Sequence, residues 1–137
     1  DALASGLSLA VMMLDMDDFK GINDTFGHAK GDEALVALAD ILTSSVRSVD
    51  IVSRWGGDEF FVILTRADRA AADRVIKRIH GGADSLALLM PDKRTVSLSI
   101  GVTLSRPHDT PESIFQRADE ALYESKRTVG KNSVTYR

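Results

Sequence analysis

The sequence predicts an α+β fold: a ferredoxin-like, palm-type, antiparallel-rich sheet flanked by helices, with a β-hairpin at its functional end. Three observations carry this prediction. Leu9–Leu14 is an unbroken apolar run that stops at Asp15, as expected for a central strand buried on both faces. Gly56-Gly57 separates the apolar runs Asp50–Trp55 and Phe60–Leu64, which reads as a tight hairpin because both glycines can take positive φ. Between and after these runs lie segments with apolar residues at helical spacing. The resulting order is strand, helix, hairpin, helix, strand, helix, strand, compatible with a βαββαβ core.

The helices have recognisable edges. After Asp15 the chain turns polar and helical, interrupted at Gly27 and Gly31. Asp32 is placed to cap an amphipathic helix whose inner stripe is Leu35, Leu38, Ile41, Leu42 and Val46. A second helix runs from Arg69 to about His80, ended by Gly81-Gly82. Thr95–Leu104 alternates as a strand, with Val96, Leu98, Ile100 and Val102 on one face. Pro111 opens a third helix with Ile114, Phe115, Ala118, Ala121 and Leu122 inward, and Ser133–Tyr136 is a candidate closing strand.

Composition bounds the function. The 137 residues suit one domain, residues 1–137, with 44% hydrophobic and 27% charged residues. Without cysteine there is neither a disulfide framework nor a thiolate metal site, which fits a cytoplasmic location. A net charge of −3 argues against general nucleic-acid binding. No stretch reaches the ~20 apolar residues of a membrane span.

The chemistry concentrates in carboxylates. In the predicted topology the end of the first strand and the hairpin lie side by side, so Asp15 and Asp58 converge next to bare glycine backbone. Two such acids can chelate Mg²⁺, which takes hard oxygen ligands and shares them with substrate phosphates. Lys20, five residues beyond Asp15, can act as a point charge on a polyphosphate. The residues alone support a metal-dependent nucleotide site. The histidines carry little: His80 and His108 read as solvated and His28 as a loop-ordering residue, while Trp55 packs beside the hairpin and Met12, Met13 and Met90 belong to core or loop.

Longer blocks sharpen this. Arg54-Trp55-Gly56-Gly57-Asp58-Glu59-Phe60 resembles the defining motif of the GGDEF family, the diguanylate cyclases. Leu14-Asp15-Met16-Asp17-Asp18-Phe19-Lys20-Gly21-Ile22-Asn23-Asp24 is similar to the family's L-D-x-D-x-F-K-x-I-N-D, and Phe26-Gly27-His28-Ala29-Lys30-Gly31-Asp32 to [YF]-G-H-x-x-G-D. Ser99-Ile100-Gly101 and Ala118-Asp119-Glu120-Ala121-Leu122-Tyr123-Glu124-Ser125-Lys126 match two further blocks in the same order. The opening is a departure: Asp1-Ala2-Leu3 and Gly6-Leu7 only echo the family's D-x-L-T-G-L, so the domain is expected to be shortened at its N-terminus. The segment from Lys126 to Asn132 is one residue longer than the family's K-x-x-G-[RK]-N, which puts a phosphate role for Lys131 in doubt.

The resemblance implies a role for each matched position. Asp15, Asp58 and the carbonyl of Met16 would hold Mg²⁺, with Mn²⁺ as an alternative. Asn23 and Asp32 would read guanine, Asp32 with or without a capping role. Lys20 and Lys126 would neutralise the triphosphate, Gly56 and Gly57 would leave room for ribose and phosphates, and Glu59 would stand near the reacting centre. Arg47-Ser48-Val49-Asp50 lies at the family's offset for an R-x-x-D inhibitory site for cyclic di-GMP; by itself the pattern reads equally as a surface ion pair. The implied reaction condenses two GTP into cyclic di-GMP with loss of two pyrophosphates. Each domain would supply half the site, so a homodimer is implied, with a fused sensory or phosphodiesterase domain outside this chain and pairing driven by a sensory domain. Two rivals are a silent GTP- or cyclic di-GMP-binding regulatory module, and a palm-type cyclase or polymerase acting on another nucleotide.

Overall fold

The computed structural model describes residues 8–128 and 133–137. The Asp1–Leu3 and Gly6-Leu7 echo and the Lys131 position lie outside them. The strands are β1 (Leu9–Met16), β2 (Ile51–Gly56), β3 (Glu59–Thr65), β4 (Leu98–Leu104) and β5 (Val134–Tyr136). The helices are α1 (Phe19–Phe26), α2 (His28–Ser45), α3 (Arg69–Ala83) and α4 (Pro111–Arg127), with a 3-10 helix at Asp84–Leu89.

The strands form one sheet in the order β2-β3-β1-β4-β5. β1 is antiparallel to both β3 and β4, β2 is antiparallel to β3, and β5 joins β4 in parallel. The first four strands therefore have the ferredoxin-like order, and the fold is α+β as the sequence predicts. β1 lies between two strands and has helices over both faces, which explains its unbroken apolar run. Ala10, Met12, Leu14 and Met16 enter the main core with the inner residues of α2 and α3. Val11 and Met13 face the other way, against Ile114, Ala118 and Leu122 of α4. Each such large side chain contributes about 1.5–3 kcal/mol on burial.

α4 approaches the sheet unusually closely. A Cβ at Gly101 would lie 2.1 Å from the Leu122 amide nitrogen and 2.5 Å from the Ala118 carbonyl oxygen. The glycine in β4 thus lets helix backbone rest on strand backbone. That contact sets the height at which the C-terminal turn of α4, with Lys126, meets the end of β1.

Several boundaries differ from the sequence reading, each for a local reason. β1 continues through Asp15 to Met16, because its backbone pairs with Glu59 on one side and with Ser99 and Leu98 on the other. α2 begins at His28 with Gly27 as N-cap, so Asp32 lies in the second turn and is not a cap. Gly31 is inside this helix and does not interrupt it. Gly81-Gly82 does not end α3, which runs to Ala83; a Cβ on Gly82 would come 2.7 Å from Ile41, so this glycine admits α2 rather than stopping a helix. β4 starts at Leu98, three residues after the predicted edge. The hairpin turn is Gly57-Asp58, not Gly56-Gly57: Gly56 pairs with Glu59, and of the two glycines Gly57 has the positive φ, 49°. A register irregularity between Arg54 and Gly56 places Trp55 as the extra residue and shifts the turn by one.

Candidate functional site

The end of the sheet where β1 finishes and the β2–β3 hairpin turns gathers seven of the predicted residues: Asp15, Met16, Gly56, Gly57, Asp58, Glu59 and Lys126. Asp15 and Glu59 are register partners on adjacent strands. Asp58, one residue earlier, is on the turn itself and faces Asp15 closely enough for its carboxylate to act on it through both charge and hydrogen bonding. From α4, Lys126 donates to Asp15 Oδ2 at 2.7 Å. The turn is held by Arg54, whose Nε donates to the Gly57 carbonyl at 2.7 Å. Cβ atoms built on Gly56 or Gly57 would meet nothing within 4 Å, so both glycines present open backbone beside the acids.

Electrostatically the cluster is poised. Burial, followed by the charge of Asp58, pushes the Asp15 carboxyl up to about 6 against the opposing hydrogen bond from Lys126. Burial and the nearby charges of Asp119 and Asp58 raise the pKa of Glu59, against Lys126. Burial opposes the Lys126 charge, but the Asp15 hydrogen bond and the carboxylates of Asp15, Asp58 and Glu59 outweigh it and raise its pKa. A buried carboxylate that shares one lysine with a second acid is a strong locus for a divalent cation. Among the described residues no group of three or more His, Cys, Asp or Glu side chains converges in metal-binding geometry. The side-chain oxygens available for a cation at this point are the carboxylates of Asp15 and Asp58. That fits Mg²⁺, which keeps water and takes phosphate oxygens to complete its shell, and does not fit a closed structural metal.

A second region lies on the α1–α2 side of the sheet. The Asn23 side chain fits the space left by Gly31, where a Cβ would be only 1.8 Å from Asn23 Oδ1. That oxygen is buried and accepts no hydrogen bond among the described residues. A buried unpaired acceptor costs about 1–3 kcal/mol. Freed from capping, Asp32 is exposed and lines a cleft of about 470 Å³ with Leu35, Val36, Arg54 and Phe60. Lys20 is exposed on the first turn of α1.

Arg47 and Asp50 meet on the opposite side of the hairpin. Arg47 bonds Asp50 through its backbone N–H at 2.9 Å and its guanidinium at 3.2 Å, and it also donates to the Thr65 carbonyl. Burial works against the Asp50 charge, but the bonds from Arg47 and the Thr65 amide outweigh it and lower its pKa. The two residues line a cleft of about 200 Å³ that also holds Arg74 and Arg78 of α3. Those two arginines were not singled out by sequence, since they belong to a helix surface where arginine is ordinary.

Other residues missed by sequence are Asp17, Ser97 and Ser99, which join the end of β1 to β4. Two readings change in detail, those of His80 and His28. His80 is not solvated: it is half-buried, its Nε2 is buried without a hydrogen-bond partner among the described residues, and burial lowers its pKa against the Asp84 charge. His28 begins α2 rather than a loop. Trp55 is 63% exposed, edge-on to Phe61 and near-parallel to Phe115. Met12, Met13 and Met90 are core residues, 0%, 2% and 1% exposed.

These features define a palm-like α+β domain with paired acids at a hairpin. Comparison with known proteins supplies the family. The family model "Diguanylate cyclase, GGDEF domain" matches residues 1–132, and the chain belongs to this family. It is 42% identical over 130 residues to diguanylate cyclase A of Treponema denticola, covering 93% of this chain and 35% of that protein. It is 41% identical over 132 residues to diguanylate cyclase DosC of Escherichia coli, covering 95% of this chain and 28% of that protein. The chain thus spans about a third of the length of these curated relatives. Among solved structures, the coiled coil and GGDEF domain of DgcB from Caulobacter crescentus in complex with c-di-GMP superposes with a TM-score of 0.91 at 31% identity, over 99% of this chain and 73% of that one.

Proposed function

We propose that this domain is a diguanylate cyclase half-site: it binds one GTP and, paired with a second copy, condenses two GTP into cyclic di-GMP with release of two pyrophosphates. The observation that supports this most is the convergence of Asp15, Asp58, Glu59 and Lys126 beside the open backbone of Gly56 and Gly57.

Asp15, Asp58 and the Met16 carbonyl would hold Mg²⁺ or Mn²⁺. Bound there, the cation would lower the pKa of a ribose 3′-hydroxyl and stabilise charge on the α-phosphate under attack. The protein's own part is positioning and electrostatics, as in phosphoryl transfer generally. Lys126 and Lys20 neutralise the triphosphate. Asn23 and Asp32 hold the guanine, the Asp32 carboxylate accepting from its N1–H and N2–H₂ donors. Asp15 is ionised above pH 6, so the metal ligand is charged at neutral pH. Each 3′-hydroxyl gives up its proton to solvent, and its oxygen forms a bond to the α-phosphorus of the other nucleotide as that phosphorus loses pyrophosphate. One domain has residues for one nucleotide, so a twofold pair is required.

Arg47 and Asp50, with Arg74 and Arg78 beside them, form the candidate cyclic di-GMP site, since arginine bonds guanine O6/N7 or phosphate in bidentate fashion. Among the described residues no helix is long and apolar enough to cross a membrane. We place the domain in the cytoplasm, fused to a sensory or phosphodiesterase domain that controls pairing.

The deciding experiment is incubation with GTP and Mg²⁺, with product chromatography across a range of protein concentrations. Specific activity should rise with concentration, and Asp58→Ala should abolish it. A concentration-independent rate would overturn the half-site model. Absence of product from an enforced dimer would assign the domain to GTP or cyclic di-GMP binding without turnover, and comparable rates with ATP would overturn the guanine assignment.

A further inference from the structure

The motif around Asp15 contains a second buried acid to which the proposed reaction assigns no role. Asp17 is 8% exposed and accepts from Ser97 Oγ and Ser99 Oγ at 2.6 Å each, both on the β4 side of the sheet. Its backbone N–H donates to the Ser97 carbonyl at 2.9 Å. Ser99 is fully buried. Such a carboxylate is costly to bury, and the hydroxyl donors offset that cost. Hydrogen bonds of this length hold the residue firmly.

The direction of the neighbouring carbonyl follows from peptide geometry. The Met16–Asp17 peptide is trans, so its C=O points opposite to its N–H. The N–H is directed at Ser97 on β4, so the Met16 carbonyl is directed away from β4, toward the β3 side. There the β1–β3 register stops at Asp15↔Glu59, and the residue that precedes Glu59 in the chain is the turn residue Asp58. The Met16 carbonyl is thereby directed toward the end of the hairpin that carries Asp58 and Glu59. Immediately after Asp17, Asp18 takes a left-handed conformation (φ 55°, ψ 35°) that starts α1. This bend would swing the peptide unless its near side were anchored.

We propose that Asp17, gripped by Ser97 and Ser99, is a positioning residue that fixes the Met16 carbonyl and so sets the affinity of the site for a divalent cation. The inference rests on the reading that Asp15 and Asp58 hold such a cation. Mg²⁺ and Mn²⁺ are sensitive to this kind of anchoring because Mg²⁺ demands near-ideal octahedral geometry, and partners that orient metal ligands commonly change affinity 10–100-fold.

The test is Mn²⁺ binding to the full chain without nucleotide, measured by electron paramagnetic resonance at pH 8, with melting temperature recorded in parallel. Asp17→Asn and the double variant Ser97→Ala/Ser99→Ala should each weaken Mn²⁺ binding about 10-fold. Restoring a hydroxyl at the half-buried position with Ser97→Thr, in the Ser99→Ala background, should recover part of the loss. Asp15→Asn serves as the reference for a site without its ligand. If the double variant is folded and binds Mn²⁺ like the parent while Asp15→Asn does not bind, the clamp is refuted and the metal reading stands. If Asp15→Asn also binds like the parent, the metal reading falls and the clamp with it. Should Asp17→Asn fail to fold, the serine double variant decides alone.

Discussion

Lys126 donates to Asp15 Oδ2 at 2.7 Å, joining residues 111 positions apart at the mouth of the proposed metal site. The side chain of Asp15 is 4% exposed, while that of Lys126 is 41% exposed. The acid is fixed in the sheet, and the lysine, on the last turn of α4, is the partner able to move. An ammonium at this position occupies the charge environment that a divalent cation would use. The same lysine can then turn to a phosphate once the cation has taken over Asp15.

Lys126→Met should therefore separate two affinities. Mn²⁺ binding without nucleotide should tighten roughly 3–10-fold at pH 8, because a competing positive charge is gone. GTP binding in the presence of metal should weaken, because the triphosphate loses a counter-charge. Equilibrium titration with Mn²⁺ and then with a slowly reacting GTP analogue measures both. If both affinities fall together, Lys126 is a structural support and not an exchangeable counter-ion.

Acid should remove the metal site through Asp15. Its folded-state pKa is raised to about 6 from an ordinary value of 3.8, so the folded protein holds this proton more tightly than the unfolded chain. The metal-free fold consequently gains stability from Asp15 as pH falls from above 6 toward 4, and that contribution is lost as pH rises through 6. Metal binding runs the other way, because a protonated carboxyl is a poor ligand. Mn²⁺ affinity should be level above pH 7 and fall roughly tenfold per unit below pH 6. In Lys126→Met the midpoint should move upward, since the hydrogen bond that favours the ionised form is gone. A midpoint near 4 would show that Asp15 is not the titrating ligand.

Much of this was legible in the sequence, and the exceptions have physical causes. The central strand, the hairpin and the meeting of Asp15 with Asp58 follow from apolar runs, a glycine pair and topology. The exact turn did not, because the irregularity at Trp55 depends on how β2 pairs with β3 and leaves no local signature. Asp32 looked like a cap because an acid stood ahead of an apolar stripe, yet the N-cap is Gly27, five residues earlier. Gly82 looked like a stop but serves contact with Ile41. The grip of Ser97 and Ser99 on Asp17 spans 80 and 82 residues, and nothing local at any of the three reveals it. Arg74 and Arg78 reach the Arg47–Asp50 cleft only through the packing of α3.

Gly31→Ala should act through Asn23. The new Cβ would fall 1.8 Å from Asn23 Oδ1, so the amide must leave its place or the helices must part. Overpacking of this kind costs about 1–3 kcal/mol of stability. The expected outcome is a folded protein whose GTP affinity drops at least tenfold while Mn²⁺ affinity without nucleotide stays within a factor of two. Equal loss of both affinities would place the damage in the whole fold rather than at the base-binding side chain.

The Arg47–Asp50 cleft predicts relief of product inhibition. Arg47→Ala and Arg78→Ala should each weaken cyclic di-GMP binding, measured calorimetrically, by about 1–3 kcal/mol, the worth of a bidentate arginine contact. Initial rates at low product should be kept in both variants, while progress curves should lose their early curvature. Arg47 also supports the strand end through Thr65 and Asp50, so its loss should lower the melting temperature slightly more than loss of Arg78. Unchanged product inhibition in both variants would reduce the Arg47–Asp50 pair to a structural ion pair.

Arg117 and Asp109 provide a stability prediction separate from the site. Arg117 donates to both oxygens of Asp109 at 3.0 and 2.7 Å, to Thr103 Oγ1 at 2.6 Å and to the Leu104 carbonyl at 3.0 Å, pinning the start of α4 to the end of β4. The Arg117 hydrogen bonds, chiefly, hold the Asp109 carboxyl well below the usual carboxylate range. A carboxylate with a depressed folded-state pKa stabilises the fold above its ordinary pKa, and that stability is lost as pH falls below about 4. Both side chains are largely buried, so Arg117→Met leaves Asp109 uncompensated and should cost about 3 kcal/mol at pH 7. For a domain of this size that is a fall in melting temperature of roughly 10 °C. The gap between parent and variant should narrow as pH drops from 4 toward 2, because Asp109 of the unfolded chain takes up a proton there and the pair contributes progressively less to stability. A gap that stays constant over that interval would show that Arg117 contributes by packing and not by its ion pair.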